Sequence, residues 1–233
     1  MSFYKKISDF KTWKEGINQV ILGDCLDVMK IMPDKCVDLV LTDPPYGINV
    51  ASKGGFGGKG GFGGKAILNT KYIISDWDKD IPVKEIFDEI FRVSKNQIIF
   101  GGNYFWSIIP PPKSYIIWDK RCGFLENNFA DCEFIWSSFK KPARIIRYLW
   151  AGLFQQNMGD KEVRFHPTQK PIDILTEIIN KHTNRDDLIL DCFAGSGSTL
   201  VASKKLGRNF IGCEISEKYC KISYQRLRQG ILL

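Results

Sequence analysis

Residues 37–47 read VDLVLTDPPYG. Val37 to Leu41 is an apolar run of the length and composition of a buried strand. Pro44 and Pro45 end it, because neither can donate to a strand ladder. They also hold φ near about −65° and bias Asp43 toward an extended conformation. A carboxylate, a stiff turn and the ring of Tyr46 are therefore presented together at the carboxyl end of a strand. In open α/β sheets, ligands bind at that end.

The flanking sequence supplies the rest of such a sheet. Upstream, Val20-Ile21-Leu22 reads as a short strand closed by Gly23-Asp24, and Cys25 to Met32 has helical spacing. Downstream, Pro82 opens a helix with Val83, Ile86, Phe87, Ile90 and Phe91 on one side. Ile98–Phe100, Tyr115–Trp118 and Cys132–Trp136 read as strands. After Lys170-Pro171 comes a helix with Ile172, Leu175, Ile178 and Ile179 inward. Leu188–Leu190 is a strand, Val201, Ala202 and Leu206 lie on a helix, and Phe210–Cys213 is a strand ending at Glu214. Ser216 caps a last helix with Tyr219, Ile222 and Leu227 inward. Strands and helices alternate at both ends of the chain, which predicts a doubly wound, mostly parallel sheet with helices on both faces.

The chain has 233 residues, 44% hydrophobic and 25% charged, an ordinary globular composition. Its seven cysteines are an odd number with no C-x-x-C pair, which reads as reduced thiols in a cytoplasmic protein. No secretory leader or membrane span is visible. The two histidines, His166 and His182, are far apart, so no metal site is expected. The net charge of +7 suits a polyanionic partner. Part of it is concentrated between Ser137 and Arg164, where six basic residues stand against two acidic ones and Phe139, Tyr148, Trp150 and Phe154 are interleaved. Basic groups suit phosphates and aromatic rings suit bases, although a solvated excursion of the domain fits the same residues. Residues 54–59 and 60–65 both read GGFGGK, which predicts a mobile glycine-rich loop over 51–70. Lys53, Lys59 and Lys65 would place that loop near an anion.

A second constellation lies at 191–199, DCFAGSGST, between a strand and a helix. Gly195 and Gly197 allow a tight turn and leave room for a ligand against the backbone. Glu214, 23 residues after Asp191, is placed to bond ribose hydroxyls. A dinucleotide is one candidate, but the third glycine of G-x-G-x-x-G would fall at Leu200. A pocket for adenosine without a pyrophosphate cradle points to S-adenosylmethionine.

Taken together, these stretches resemble the DNA amino-methyltransferases, which methylate an exocyclic base nitrogen. Asp43-Pro44-Pro45-Tyr46 matches their catalytic tetrapeptide, (D/N/S)-P-P-(Y/F/W). Phe193-Ala194-Gly195-Ser196-Gly197 matches their F-x-G-x-G cofactor loop. His166-Pro167-Thr168-Gln169-Lys170-Pro171 is similar to the segment before that loop in the permuted β subgroup, whose motif order this chain shares. Gly23-Asp24-Cys25 resembles the motif that faces the adenine of the cofactor. The resemblance covers roughly residues 18–228, and it departs from the common pattern at Cys192, where many relatives carry proline.

The resemblance implies a Rossmann-like, seven-stranded single catalytic domain over 1–233, with 137–165 as a DNA target-recognition insertion. It implies direct methyl transfer from S-adenosylmethionine to a flipped-out base in double-stranded DNA, with Asp43, Pro44, Pro45 and Tyr46 catalytic. Asp24, Cys25, Asp43, Thr168, Lys170, Asp191, Phe193, Gly195, Gly197, Thr199 and Glu214 would bind the cofactor, with Thr168 and Lys170 near its methionine carboxylate. Asp43 should remain ionised beside the sulfonium. Asp at the head of the tetrapeptide favours adenine-N6, with cytosine-N4 as the alternative. An inactive DNA-binding relative and a nicotinamide-dependent oxidoreductase are the competing readings. A cognate restriction endonuclease and a monomeric or homodimeric state complete the expected setting.

Overall fold

The structure is a computed structural model that describes residues 4–48, 79–123, 130–151, 154–166 and 168–229. The elements in chain order are β1 (Lys5–Lys6), β2 (Gln19–Leu22), α1 (Cys25–Lys30), β3 (Val37–Thr42), α2 (Lys84–Val93) and β4 (Ser94–Phe100). There follow β5 (Ser114–Asp119), β6 (Cys132–Ser137), β7 (Arg144–Arg147), β8 (Trp150–Ala151) and β9 (Phe154–Gln155). The chain then runs through α3 (Ile172–His182), β10 (Leu188–Asp191), α4 (Ser198–Lys205), β11 (Asn209–Glu214) and α5 (Glu217–Arg228).

Nine strands form one sheet in the order β1-β2-β11-β10-β3-β4-β6-β5-β7, and β8-β9 form a separate pair. The strands from β1 to β4 in that order run parallel, while β6 is antiparallel to both its neighbours. The seven strands implied by the resemblance become nine because both edges are extended. Lys5 and Lys6 pair with Ile21 and Leu22, and Arg144–Arg147 pair with Ile116–Asp119. Neither edge strand carries the apolar run by which a buried strand is read, and edge strands are commonly short and charged.

The order of strands explains the layers. The β3-α2-β4 crossover steps one way along the sheet and β10-α4-β11 steps the other. Right-handed crossovers in opposite directions put their helices on opposite faces. On β10, Leu188 and Leu190 accordingly join the core under α1 and α2, while Ile189 joins the one under α3. The reversal lies between β3 and β10, which is the switch point where open sheets bind ligands.

Three readings shift in detail. Val83 precedes α2 and is exposed, so the inward stripe begins at Ile86. Ser216 makes no side-chain cap; its backbone N–H donates instead to Glu214. Helix α5 buries Ser223 and Arg226 beside Tyr219 and Leu227, because that face meets the glycine turn as well as the core. The segment 137–165 is only partly an excursion. Ser137 ends β6, Arg144–Arg147 form a sheet edge, and Phe139, Tyr148 and Trp150 pack on the core under α3. Of its five aromatic residues, Phe154 alone is exposed. The repeat at 54–65, with its lysines, lies outside the described residues.

Candidate functional site

Four parallel strands end along one edge and deliver Asp43 after β3, Gly101 after β4, Asp191 on β10 and Glu214 on β11. On the β3–β4 side, Asp43 is 22% exposed. Its Oδ1 accepts a hydrogen bond from the Tyr46 hydroxyl at 2.5 Å, and its Oδ2 accepts one from Lys170 Nζ at 2.6 Å. Lys170 Nζ also lies 3.5 Å from Glu133 Oε2, and Glu133 Oε1 accepts from Lys120 Nζ at 3.2 Å. The chain of charges is thus Lys120, Glu133, Lys170, Asp43. Burial raises the pKa of Asp43, and Lys170 opposes that rise. Burial acts on Glu133 in the same sense, but its two lysines outweigh it and hold the carboxyl below its usual range. Lys170 is held above its usual range, since the two carboxylates outweigh the burial that would discharge it.

Tyr46 is wedged in place. Gly101 has φ of +65°, and a Cβ there would lie 2.2 Å from the Tyr46 ring, so only glycine fits. Tyr104, on the turn after β4, stacks on Tyr46 with ring centroids 4.6 Å apart and planes 10° apart. Phe105 meets the same ring edge-on at 6.1 Å.

The β10–β11 side is built around backbone. Asp191 Oδ1 accepts from the Thr42 hydroxyl at 2.8 Å and from the Phe193 N–H at 3.1 Å. Thr199 bonds the same carboxylate. Burial pushes Asp191 up to about 6 against these donors. Glu214 Oε2 accepts from the Gly195 N–H at 2.8 Å and Oε1 from the Ser216 N–H at 2.7 Å. Burial likewise pushes Glu214 up to about 7. Gly197 starts α4 at φ +81°, and a Cβ there would come within 2.6 Å of Ser223 Oγ.

The expected site residues separate into three groups. Asp43, Pro44, Pro45, Tyr46, Phe193, Gly195, Gly197 and Glu214 lie along one edge, as read from the sequence. Asp191 and Thr199 are there but buried and bonded to each other, so they support the turn from below. Cys25 does not face the edge; it is buried in the core under α1. Asp24 is exposed and caps α1, accepting from the Leu26 N–H at 2.8 Å. Thr168 contacts His166, whose Nδ1 accepts its backbone N–H at 3.3 Å. Lys170, expected near the methionine carboxylate of the cofactor, is 8% exposed and salt-bridged to Asp43.

His166 packs edge-on against Tyr219 at 4.5 Å. Burial and Lys170 push its pKa down to about 3, so it is a neutral packing element. Sequence reading missed Glu133, Lys120 and a second network. In that network Arg226 Nη1 donates to the Ser196 carbonyl at 2.8 Å, and Arg226 Nη2 meets Glu162 at 3.2 Å. Gln169 links the two, accepting from Ser196 Oγ at 3.0 Å and donating to Glu162 Oε1 at 2.7 Å. It fastens the glycine turn to the segment before α3. Among the described residues, no cluster of His, Cys, Asp and Glu could hold a metal, and no helix is long and apolar enough to cross a membrane.

The arrangement is one acceptor carboxylate with a stacked aromatic ring, next to a glycine turn rimmed by acidic groups. Comparison with known proteins shows the family. The family profile described as DNA methylase matches residues 126–225. The chain is 30% identical over 228 residues to YubD of Escherichia coli (strain K12), a methylase by name, covering 91% of this chain and 90% of that one. It is 25% identical over 274 residues to Type II methyltransferase M.HinfI of Haemophilus influenzae, covering 97% and 70% respectively. The solved structure of the M1.HpyAVI–SAM complex superposes with a TM-score of 0.56 at 24% identity, covering 89% of this chain and 98% of that one. The chain belongs to the N6/N4 DNA methylase family.

Proposed function

We propose that the chain transfers a methyl group from S-adenosylmethionine to the N6 amino group of adenine in double-stranded DNA. The observation that carries this reading is the Asp43 carboxylate, fixed by two prolines at the switch point and bridged to the glycine-turn side by Thr42 and Asp191. The acidic rim fits the donor. Asp24, Asp43 and Glu214 are acceptors suited to an amino group, a sulfonium and ribose hydroxyls, and they would repel a pyrophosphate. When bound, S-adenosylmethionine supplies an electrophilic methyl whose C–S bonding pair goes to sulfur. Asp24 would hold the adenine amino group of that cofactor and Glu214 its ribose, with Phe193, Gly195 and Gly197 forming the wall.

The acceptor side follows from the amine's chemistry. An exocyclic amino group is a weak nucleophile because its lone pair is delocalised into the ring. Asp43 and the Pro44 carbonyl accept its N–H groups and favour a pyramidal nitrogen. The prolines fix these acceptors before reaction, which is electrostatic preorganisation. Asp43 then takes the proton that the nitrogen loses as its lone pair becomes the N–C bond. Tyr46 offers a ring to the base, offsetting part of the few kcal/mol that flipping costs. The exposed Lys140, Lys141, Arg144 and Arg147 give the 137–165 segment a cationic surface for phosphates. The Type II name of the Haemophilus influenzae relative supports a restriction endonuclease as the cognate partner.

Asp43 at the head of the tetrapeptide supports adenine over cytosine-N4, since relatives with Ser there more often modify cytosine-N4. The test is to digest DNA methylated with labelled donor and identify the nucleoside. N6-methyl-2′-deoxyadenosine is expected; recovery of N4-methyl-2′-deoxycytidine alone would overturn the adenine reading.

A further inference from the structure

Three features surround Lys170. First, its ammonium sits on the carboxylate oxygen that an incoming amino group needs, 2.6 Å from Asp43 Oδ2, while Tyr46 occupies Oδ1. A carboxylate oxygen has a second lone pair, but a cation on Asp43 cancels its charge where the amino nitrogen turns positive. Second, Glu133 Oε2 is buried and, among the described residues, accepts no hydrogen bond, only the longer ion-pair contact with Lys170. A buried carboxylate oxygen without a hydrogen bond is rare and costly. Third, that oxygen lies 3.5 Å from Lys170 Nζ, so a shift of under about 1 Å brings the two to charge-assisted hydrogen-bond distance. Among the described residues, the rings of Tyr46 and Phe100 also face the ammonium, with centroids at 5.6 and 5.2 Å, and neither offers a full negative charge.

We propose that Glu133 is a positioning residue for methyl transfer: it receives the Lys170 ammonium and thereby frees Asp43 for the amino protons of the target base. The inference rests on the role given to Asp43 above. Lys120, on Glu133 Oε1, keeps Glu133 ionised and its second oxygen turned toward Lys170. Lys170 holds Asp43 in place before the base arrives, then moves between two carboxylates without leaving the protein interior. The acceptor is therefore satisfied before the base arrives and uncovered when it is used.

The test uses the full chain with Glu133→Gln, Lys170→Met and the double variant. Single-turnover transfer of tritiated methyl to unmethylated DNA is measured, with calorimetry of S-adenosylmethionine and thermal melting alongside. Glu133→Gln is expected to slow transfer about 10- to 100-fold, with cofactor affinity within about 3-fold of the parent. Lys170→Met should keep at least about a tenth of the parental rate, and adding Glu133→Gln to it should slow it less than about 3-fold further. Parental speed in Glu133→Gln overturns the proposal. So does an undiminished Glu133 penalty in the Lys170→Met background, or a Lys170→Met chain that transfers nothing. If Glu133→Gln does not fold, the double variant, which removes both charges of the pair, supplies the decisive comparison with Lys170→Met. Label found only in cytosine would overturn the adenine reading and leave these ratios unchanged.

Discussion

Two sets of carboxylates stand side by side on the carboxyl edge of the sheet, and their charge is balanced in different ways. Asp43 and Glu133 are matched by the ammonium groups of Lys170 and Lys120. Asp191 and Glu214 are matched by hydroxyls and backbone N–H groups. Burial raises acids on both sides, but the lysines reverse it at Glu133, whereas Asp191 and Glu214 rise to about 6 and about 7. A cation can leave with its charge; a backbone amide cannot. On the roles proposed above, the first side is the one that rearranges during reaction, and the second keeps its shape around the cofactor.

The difference is broken most severely at Asp43. Asp43→Ala is expected to lower methyl transfer by about 10³-fold or more, in the range of lost preorganised electrostatics, while cofactor affinity stays within about 3-fold. Substantial residual turnover would remove Asp43 from the acceptor role. Glu214→Gln should do the reverse. It weakens S-adenosylmethionine binding by about 10- to 100-fold, as expected for a lost charged hydrogen bond, and changes the transfer step little once cofactor saturates. An unchanged dissociation constant in calorimetry would show that the ribose lies elsewhere.

The pH dependence sharpens the same contrast. Glu214 has a raised folded pKa, so its contribution to stability is complete below its ordinary value and is lost as pH rises through about 7. Asp191 acts in the same sense through about 6. Ionised Glu214 is the better ribose acceptor, so cofactor affinity should rise between pH 6 and 8 in the parent and stay flat in Glu214→Gln. A parallel rise in both would assign the titration to another group. The smallest effect is structural. Gly197→Ala meets Ser223 and requires φ of +81°, and should cost about 1–3 kcal/mol by denaturant unfolding. A neutral result would mean that α5 yields.

Much of this was legible in the sequence, because runs such as 37–41 and 188–190 carry strand character locally and Asp43 and Gly195 follow them directly. What was hidden has non-local partners. Lys170 and Asp43 are 127 residues apart, and no spacing rule joins them. Glu133 sits next to the apolar part of a strand and reads as its solvent-facing residue. Arg226 looks like an ordinary basic residue in the last turn of a helix, yet it is buried against Ser196 and Glu162. Phe139, Tyr148 and Trp150 were hard to place for the opposite reason, since composition alone cannot tell a core contact from a base contact.

The Thr42–Asp191 bond joins residues 149 positions apart at the ends of adjacent strands. Neighbourhood in the sheet is thus independent of order along the polypeptide. β2, from the early part of the chain, lies beside β11 from its late part, and the Tyr4 hydroxyl reaches Glu217 at 2.6 Å. The two half-sites behave as modules plugged into fixed sockets, and the loops are only their wiring. Rewiring the same sockets in another order would leave the Asp43 turn beside the glycine turn.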